Sequence, residues 1–403
     1  MKRMRKLYFA AALLAALAPF TMRSQQQPWS VRAANAAMAR WPNGRFAAPT
    51  APWKWNYELG TLLEGMDGVW RSTSDPRYMR YIQASVDQFV TADGLIPTRK
   101  LEDYELDNIL LGRQLLFLYA NRKDQRYAKA AAVLYDQLQH QPRNASGGFW
   151  HKQRYPNQMW LDGVYMAEPF YAEYAKTFHR PEAFADIVHQ FELIDMHARD
   201  AKTGLLYHGW DESKKERWAD AQTGLSSQFW ARAMGWYMMA LVDTLDYLPA
   251  NDPGRKVLIA QLSRYAVAVV RYQDRSTALW WQVMDKPGAN GNFLESSASC
   301  MFVYALQKGV RLGYLPARYQ TEAQRGYKGI LSQFIHAGPG DDVSLSGTVG
   351  SAGLGGDPYR SGTYEYYVGE KVVTNDAKGI GAFLLAANEI EAGEKTGARQ
   401  KLK

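Results

Sequence analysis

Cysteine is almost missing from this chain of 403 residues: Cys300 stands alone. An internal disulfide is excluded, and with it any fold held by bridges. Cys300 lies in the apolar run Ser299-Cys300-Met301-Phe302-Val303-Tyr304, the setting of a small core residue. Histidine is scarce too. None of the seven stands four residues from another and no Cys-x-x-Cys occurs, so no metal site is expected. The glycines from Gly338 to Gly362 lack the Gly-Lys-Ser/Thr of a phosphate loop, and nothing in the chain calls for a cofactor. A Gly-x-Ser-x-Gly elbow is absent as well, which removes the serine nucleophile of an α/β hydrolase.

Excess charge is small. The formal +8 includes Lys2, Arg3, Arg5 and Lys6, and without these four the rest carries only +4, too little to mark a nucleic-acid partner. Those four cations precede the apolar run Leu7 to Ala18, which is short for a bilayer span and has the layout of a secretory leader. A signal peptide over 1–23 is expected, with a poorly marked cleavage site and a periplasmic or secreted product. No later run is long and apolar enough to cross a membrane, so no stable insertion is expected once the leader is gone.

Strand-like alternation is also nearly absent, whereas apolar residues at helical spacing recur throughout. The chain reads as all-α. Helical stretches come in pairs divided by turns: the polar Asn121 to Asp124, then His179-Arg180-Pro181, Asn251 to Gly254 and Leu315-Pro316. First members start near Trp55, Asp107, Asp162, Trp230, Glu295 and Asn375, and they are the more apolar ones. Six repeated hairpins fit an (α/α)6 barrel whose inner helices run parallel and bring their N-termini to one rim. One catalytic domain over 24–395 is expected, followed by a basic tail over 396–403. Linkers such as Asn144 to Lys152, Gly204 to Asp211 and Trp280 to Val283 mix glycine, aromatic and polar residues, unlike ordinary polar loops, and suggest a binding funnel on that rim. The glycine-rich stretch Gly338 to Gly362 reads as a flexible lid.

Two carboxylates stand at the starts of successive inner helices, Asp107 and Asp162. Each would serve as a helix cap, but Asp162 between Trp160 and Tyr165 sits where a carboxyl loses hydration and keeps its proton. Such a group can act as an acid. Farther on, Trp230-Ala231-Arg232-Ala233-Met234-Gly235-Trp236 brackets an arginine with two indoles; Arg232 and Trp236 share a helix face, which suits a sugar platform beside an anion clamp. His151 and His208 lie in the aromatic linkers.

At these residues the chain resembles the unsaturated rhamnogalacturonyl hydrolases of glycoside hydrolase family 105, which are (α/α)6 barrels. The matching segments are Leu106-Asp107-Asn108, Gly147 to Lys152, Met159-Trp160-Leu161-Asp162-Gly163, Tyr207 to Asp211, Trp230 to Trp236 and Glu295 to Ala298, in the family's order. The resemblance implies that Asp162 is the general acid and base, assisted by Asp107. It makes Tyr57, His151, Lys152, Trp160, His208, Trp230, Arg232 and Trp236 substrate-binding residues. Where the family tends to read Arg-Gly-Asn-Gly-Trp, this chain has Arg232-Ala233-Met234-Gly235-Trp236, larger and less polar. The implied substrate is a short oligosaccharide left by a lyase, with a 4,5-unsaturated uronic acid at its non-reducing end. An ordinary (α/α)6 glycosidase or lyase on intact chains, and a periplasmic glycan-binding protein without turnover, are the other readings of the same residues.

Overall fold

The computed structural model describes residues 27–46 and 53–401; the expected leader over 1–23 lies outside them. In chain order the helices are α1 (Trp29–Arg40), α2 (Tyr57–Thr73), α3 (Pro76–Asp87), α4 (Gly112–Arg122), α5 (Gln125–His140) and α6 (Leu161–Thr177). They continue with α7 (Ala183–Ala198), α8 (Ala231–Thr244), α9 (Pro253–Arg271), α10 (Ser296–Arg311), α11 (Arg318–Gln333), α12 (Tyr364–Gly369) and α13 (Ala377–Lys401). Six short strands form three two-stranded antiparallel ribbons among the described residues.

The hairpin boundaries follow local chemistry. Asp75, Asp124 and Asp252 accept hydrogen bonds from backbone N–H groups at the starts of α3, α5 and α9. Pro76 and Pro253 add a fixed φ at the first helical position. The helices between them differ in kind: every residue of α8 is buried, while its partner α9 buries only one face. A helix this apolar, its few polar side chains buried with the rest, belongs where it is enclosed on all sides.

Packing draws α2, α4, α6, α8, α10 and α13 into a closed inner ring, each touching the next and α13 returning to α2. Around it stand α3, α5, α7, α9 and α11, and α1 packs on α13. This is the expected all-α (α/α)6 barrel with one correction: the sixth inner helix takes its outer partner from the start of the chain. Ring closure depends on close backbone approach. A Cβ placed on Gly381 of α13 would stand 2.3 Å from the Thr61 carbonyl oxygen of α2, so any larger residue must push the ring open.

Two further expectations change. Of the expected basic tail over 396–403, the described part as far as Lys401 continues α13. The glycine-rich stretch is pinned at both ends and does not stand off as a lid. Arg32 and Arg40 of α1 donate to the carbonyls of Gly338, Gly340 and Val343. Arg360 grips the far end, as described below. Among the described residues no helix is long and apolar enough to cross a membrane.

Candidate active site

A cavity of about 820 Å³ opens at the rim where α2 and α6 begin, within the usual range of about 300–1,000 Å³ for small-molecule sites. Its walls include six residues singled out from the sequence: Tyr57, Asp107, His151, Lys152, Trp160 and Asp162.

Asp162 and His208 meet through a ribbon. Strand β1 (Gln158–Trp160) pairs antiparallel with β2 (Gly209–Asp211), Trp160 opposite Gly209. Just beyond the pairing, the Leu161 N–H donates to the His208 carbonyl at 3.0 Å. Asp162 therefore enters the first turn of α6 beside the imidazole of a distant loop. Its Oδ2 lies 3.1 Å from His208 Nε2. The approach is out of line for a hydrogen bond, and both atoms are buried without another partner. On the other side of the ring, His208 Nδ1 is 2.7 Å from the Tyr367 hydroxyl. Trp160, not Asp162, occupies the cap position of α6, and its side chain caps nothing.

Asp107 is held differently. It sits in a 3₁₀ turn, Leu106–Asn108, ahead of α4, and caps no helix. The His151 carbonyl accepts from the Leu106 N–H at 3.1 Å, and the His151 N–H donates to the Gln158 carbonyl at 2.8 Å, which ties this turn to β1. Lys152 Nζ donates to Asp107 Oδ2 at 2.6 Å and also to Glu105. Burial disfavours the charge on Lys152, but Asp107 and Glu105 outweigh it and hold the ammonium above its ordinary pKa. His151 is 3.5 Å from Asp107 Oδ1. Burial, reinforced by Lys152, pushes its pKa well below the usual value, so the ring is neutral and the contact is not an ion pair. That neutral ring stacks on Trp160, with centroids 4.3 Å apart. Burial raises the Tyr57 phenol well above its ordinary range, with the neighbouring Glu58 adding to the effect.

Four expected residues do not line the cavity. His208 acts from behind Asp162. Trp230 stacks on Tyr367 at 5.8 Å and donates its indole N–H to Gln282. Trp236 is 1% exposed and stacks on Tyr165 inside the barrel. Arg232, 2% exposed, donates to the carbonyls of Val349 and Gly350. The shared helix face of Arg232 and Trp236 is real, but α8 is enclosed on every side and that face meets protein. Ala233 and Met234 are wholly buried for the same reason, so their size bears on core packing and not on a bound sugar.

Glu105 and Arg360 line the cavity and were missed. Glu105 stood two residues before Asp107 in the same turn-forming segment. Arg360 is the one basic residue between Gly338 and Gly362, a signal masked by the glycines around it.

Comparisons with known proteins agree on what this barrel is. The profile of Glycosyl Hydrolase Family 88 matches residues 29–392. A glycoside hydrolase of family 105 from C. acetobutylicum ATCC 824 is 42% identical, with 91% of this chain and 100% of that one covered and a TM-score of 0.87. The unsaturated rhamnogalacturonyl hydrolase YesR of Bacillus subtilis (strain 168) is 27% identical over 301 residues, 73% of this chain and 80% of that protein. An unsaturated glucuronyl hydrolase from Bacillus sp. GL1 shares the fold, with a TM-score of 0.67 at 14% identity over 91% of this chain and 95% of that one. The chain is thus a glycoside hydrolase and belongs to the grouping formed by families 88 and 105.

Proposed function

We propose that the protein removes a 4,5-unsaturated uronic acid from the non-reducing end of lyase-generated oligosaccharides by hydrating the C4=C5 double bond. Such a sugar is a vinyl ether. Asp162 gives a proton to C4, oxocarbenium character develops at C5, and water adds there as Asp162 takes a proton back. The resulting hemiketal opens and releases the aglycone.

One observation carries this reading: the two carboxylates of the site are not equivalent. Asp107 is engaged by the Lys152 ammonium. Asp162 forms no ion pair with a lysine or arginine among the described residues; His208 stands beside it, and its Oδ2 is left without a hydrogen bond. Ordinary inversion or retention needs two carboxylates acting across the scissile bond, about 5–10 Å apart. Hydration of a vinyl ether needs one group that cycles a proton, which this site supplies. A binding protein without turnover would have no use for a carboxylate left short of partners in an enclosed pocket. The proposal extends to the compartment: the leader-like layout of residues 1–23 supports a periplasmic or secreted enzyme.

Reaction in heavy water tests the mechanism. Deuterium is expected at C4 of the product, because that carbon receives the first proton. Product without solvent deuterium at C4, or a sugar ester trapped on Asp107, overturns it.

A further inference from the structure

The acid group of the substrate needs a cation, and Arg232 faces backbone carbonyls outside the cavity. We propose that Arg360 binds the carboxylate of the terminal uronic acid and so makes the enzyme selective for an acidic sugar; this rests on the hydrolase reading above. Arg360 lines the same cavity as Asp162. Its Nε donates to the Gly355 carbonyl at 2.9 Å, and its Nη2 donates to the Leu354 carbonyl at 3.1 Å and the Tyr155 hydroxyl at 2.5 Å. The guanidinium carbon lies 5.6 Å from the ring centre of Trp160, the residue two before Asp162, and 5.7 Å from that of Tyr155.

What this guanidinium lacks is a counter-ion. Lys152, the buried cation of the cavity, is matched by two carboxylates, whereas Arg360 is half-buried. Arg99 and Arg154 also line the cavity without an ion pair among the described residues; Arg360 differs from them in the three hydrogen bonds that fix it beside Trp160. Arg360 forms no ion pair among the described residues, and its Nη1 donates to nothing. Neutral oxygens hold it in place and leave its charge unanswered, which suits a planar fork awaiting a carboxylate.

The glycines around it have a corresponding purpose. A Cβ on Gly353 would stand 2.1 Å from Nη1 and 2.6 Å from the guanidinium carbon, and one on Gly356 would stand 3.2 Å from Nη2. The glycine-rich segment thus forms a cradle whose walls are backbone, so the fork is fixed before a ligand arrives and little freedom is lost on binding. In the unsaturated sugar the carboxylate is carried on C5, next to the carbon that Asp162 protonates. Holding it at Arg360, beside Trp160, orients C4 for proton transfer.

The test compares an unsaturated uronyl disaccharide with its methyl ester, following loss of ultraviolet absorbance with the full chain. The wild type is expected to prefer the acid by about 10- to 100-fold in kcat/KM, chiefly through KM, the worth of one charge-assisted contact. Arg360→Gln should bring the acid-to-ester ratio of kcat/KM close to one, whatever its absolute activity, and Arg360→Lys should keep part of the preference. A wild type indifferent to esterification, or an Arg360→Gln chain that still prefers the acid, overturns the proposal. Because Arg360 also anchors its loop, Gly353→Ala is the second variant: it keeps the charge, displaces the fork and should raise KM for the acid alone. An unchanged KM there counts against the clamp. If no chain turns over either substrate, the hydrolase reading fails instead. The clamp is then judged by calorimetry with glucuronate, galacturonate and their methyl esters: a preference for the acids that Arg360→Gln abolishes sustains it, and no preference overturns it.

Discussion

Arg113, Asp243 and Lys308, with the carboxyl of Glu64, form one cluster of ionisable groups in the barrel interior, carried by α4, α8, α10 and α2; Glu105, Asp107, Lys152, Asp162 and Arg360 form another at the rim. In the interior, Arg113 lies 2.8 Å from Glu64 and 3.0 Å from Asp243, and Lys308 is 2.7 Å from Asp243 and 2.6 Å from Asp246. The Tyr304 hydroxyl adds a hydrogen bond to Asp243 at 2.6 Å. Burial works to raise the Asp243 carboxyl, yet Lys308 and Arg113 outweigh it and hold it below its ordinary value. At the rim the same residue types are left partly unmatched: Asp162 has an oxygen without a hydrogen bond, and Arg360 has no counter-ion. An interior charge must find its partners in the protein, since burying it unpaired costs several kcal/mol. At the rim, Asp162 and Arg360 line a cavity that a ligand can enter, and the proposals above give their charge that use.

That contrast breaks most sharply at Asp162. Asp162→Asn keeps size and shape but has no transferable proton, so turnover should fall by about 10²–10⁴-fold with an unchanged melting temperature. Near-normal turnover would mean that the proton comes from elsewhere. The interior counterpart should behave in the opposite way. Asp243→Asn leaves Lys308 and Arg113 short of a carboxylate, so about 3–5 kcal/mol of stability should go, read by urea unfolding, while the folded fraction keeps its turnover. Equal stability of variant and wild type would show that the interior cluster is not held by Asp243.

Rim charges should also tune one another. Lys152→Met removes the second-largest influence that keeps His151 from protonating, after burial. The His151 ring should then titrate at a higher pH than in the wild type, though still below an ordinary histidine because its burial is unchanged. Proton NMR of the ring during titration measures this. An unmoved midpoint would mean that burial alone sets it.

The sequence carried much of this and hid the rest for physical reasons. Helix pairs were legible because their turns use side chains with local work to do, Asp124 capping α5 and Asp252-Pro253 opening α9. The sixth pair was not, since α1 and α13 lie at opposite ends of the chain and nothing local records that they pack. Asp162 and Asp107 stood out by their apolar surroundings. Their different partners did not, because they depend on a three-residue ribbon and on loop contacts between residues up to 46 apart in the chain. Helical spacing put Arg232 and Trp236 on one face correctly, but spacing cannot say whether a face meets solvent or protein. Glycines around Arg360 read as flexibility, whereas in the fold they make room for a guanidinium.

The effect that sharpens the comparison most concerns Glu64. Burial is the largest influence on this carboxyl and raises its pKa to about 8, against the opposing pull of Arg113. Neighbouring carboxyls add to burial: Arg113 already faces Asp243 and approaches Glu173 at 3.5 Å, so the interior holds more carboxyls than its cations can answer. Between the unfolded value of 4.5 and about 8 the folded chain keeps a proton on Glu64 that the unfolded chain has lost. The stability this proton brings is complete below 4.5 and declines as pH rises through about 8, with a slope from this group of at most about 1.4 kcal/mol per pH unit. Glu64→Gln is neutral at every pH and keeps the hydrogen bond to Gln114 within reach. Urea midpoints measured from pH 5 to pH 9 should therefore fall less steeply in the variant than in the wild type, the two curves parting progressively toward alkaline pH. Parallel curves would show that Glu64 is ionised in the folded barrel and that Arg113 alone is enough to hold it so.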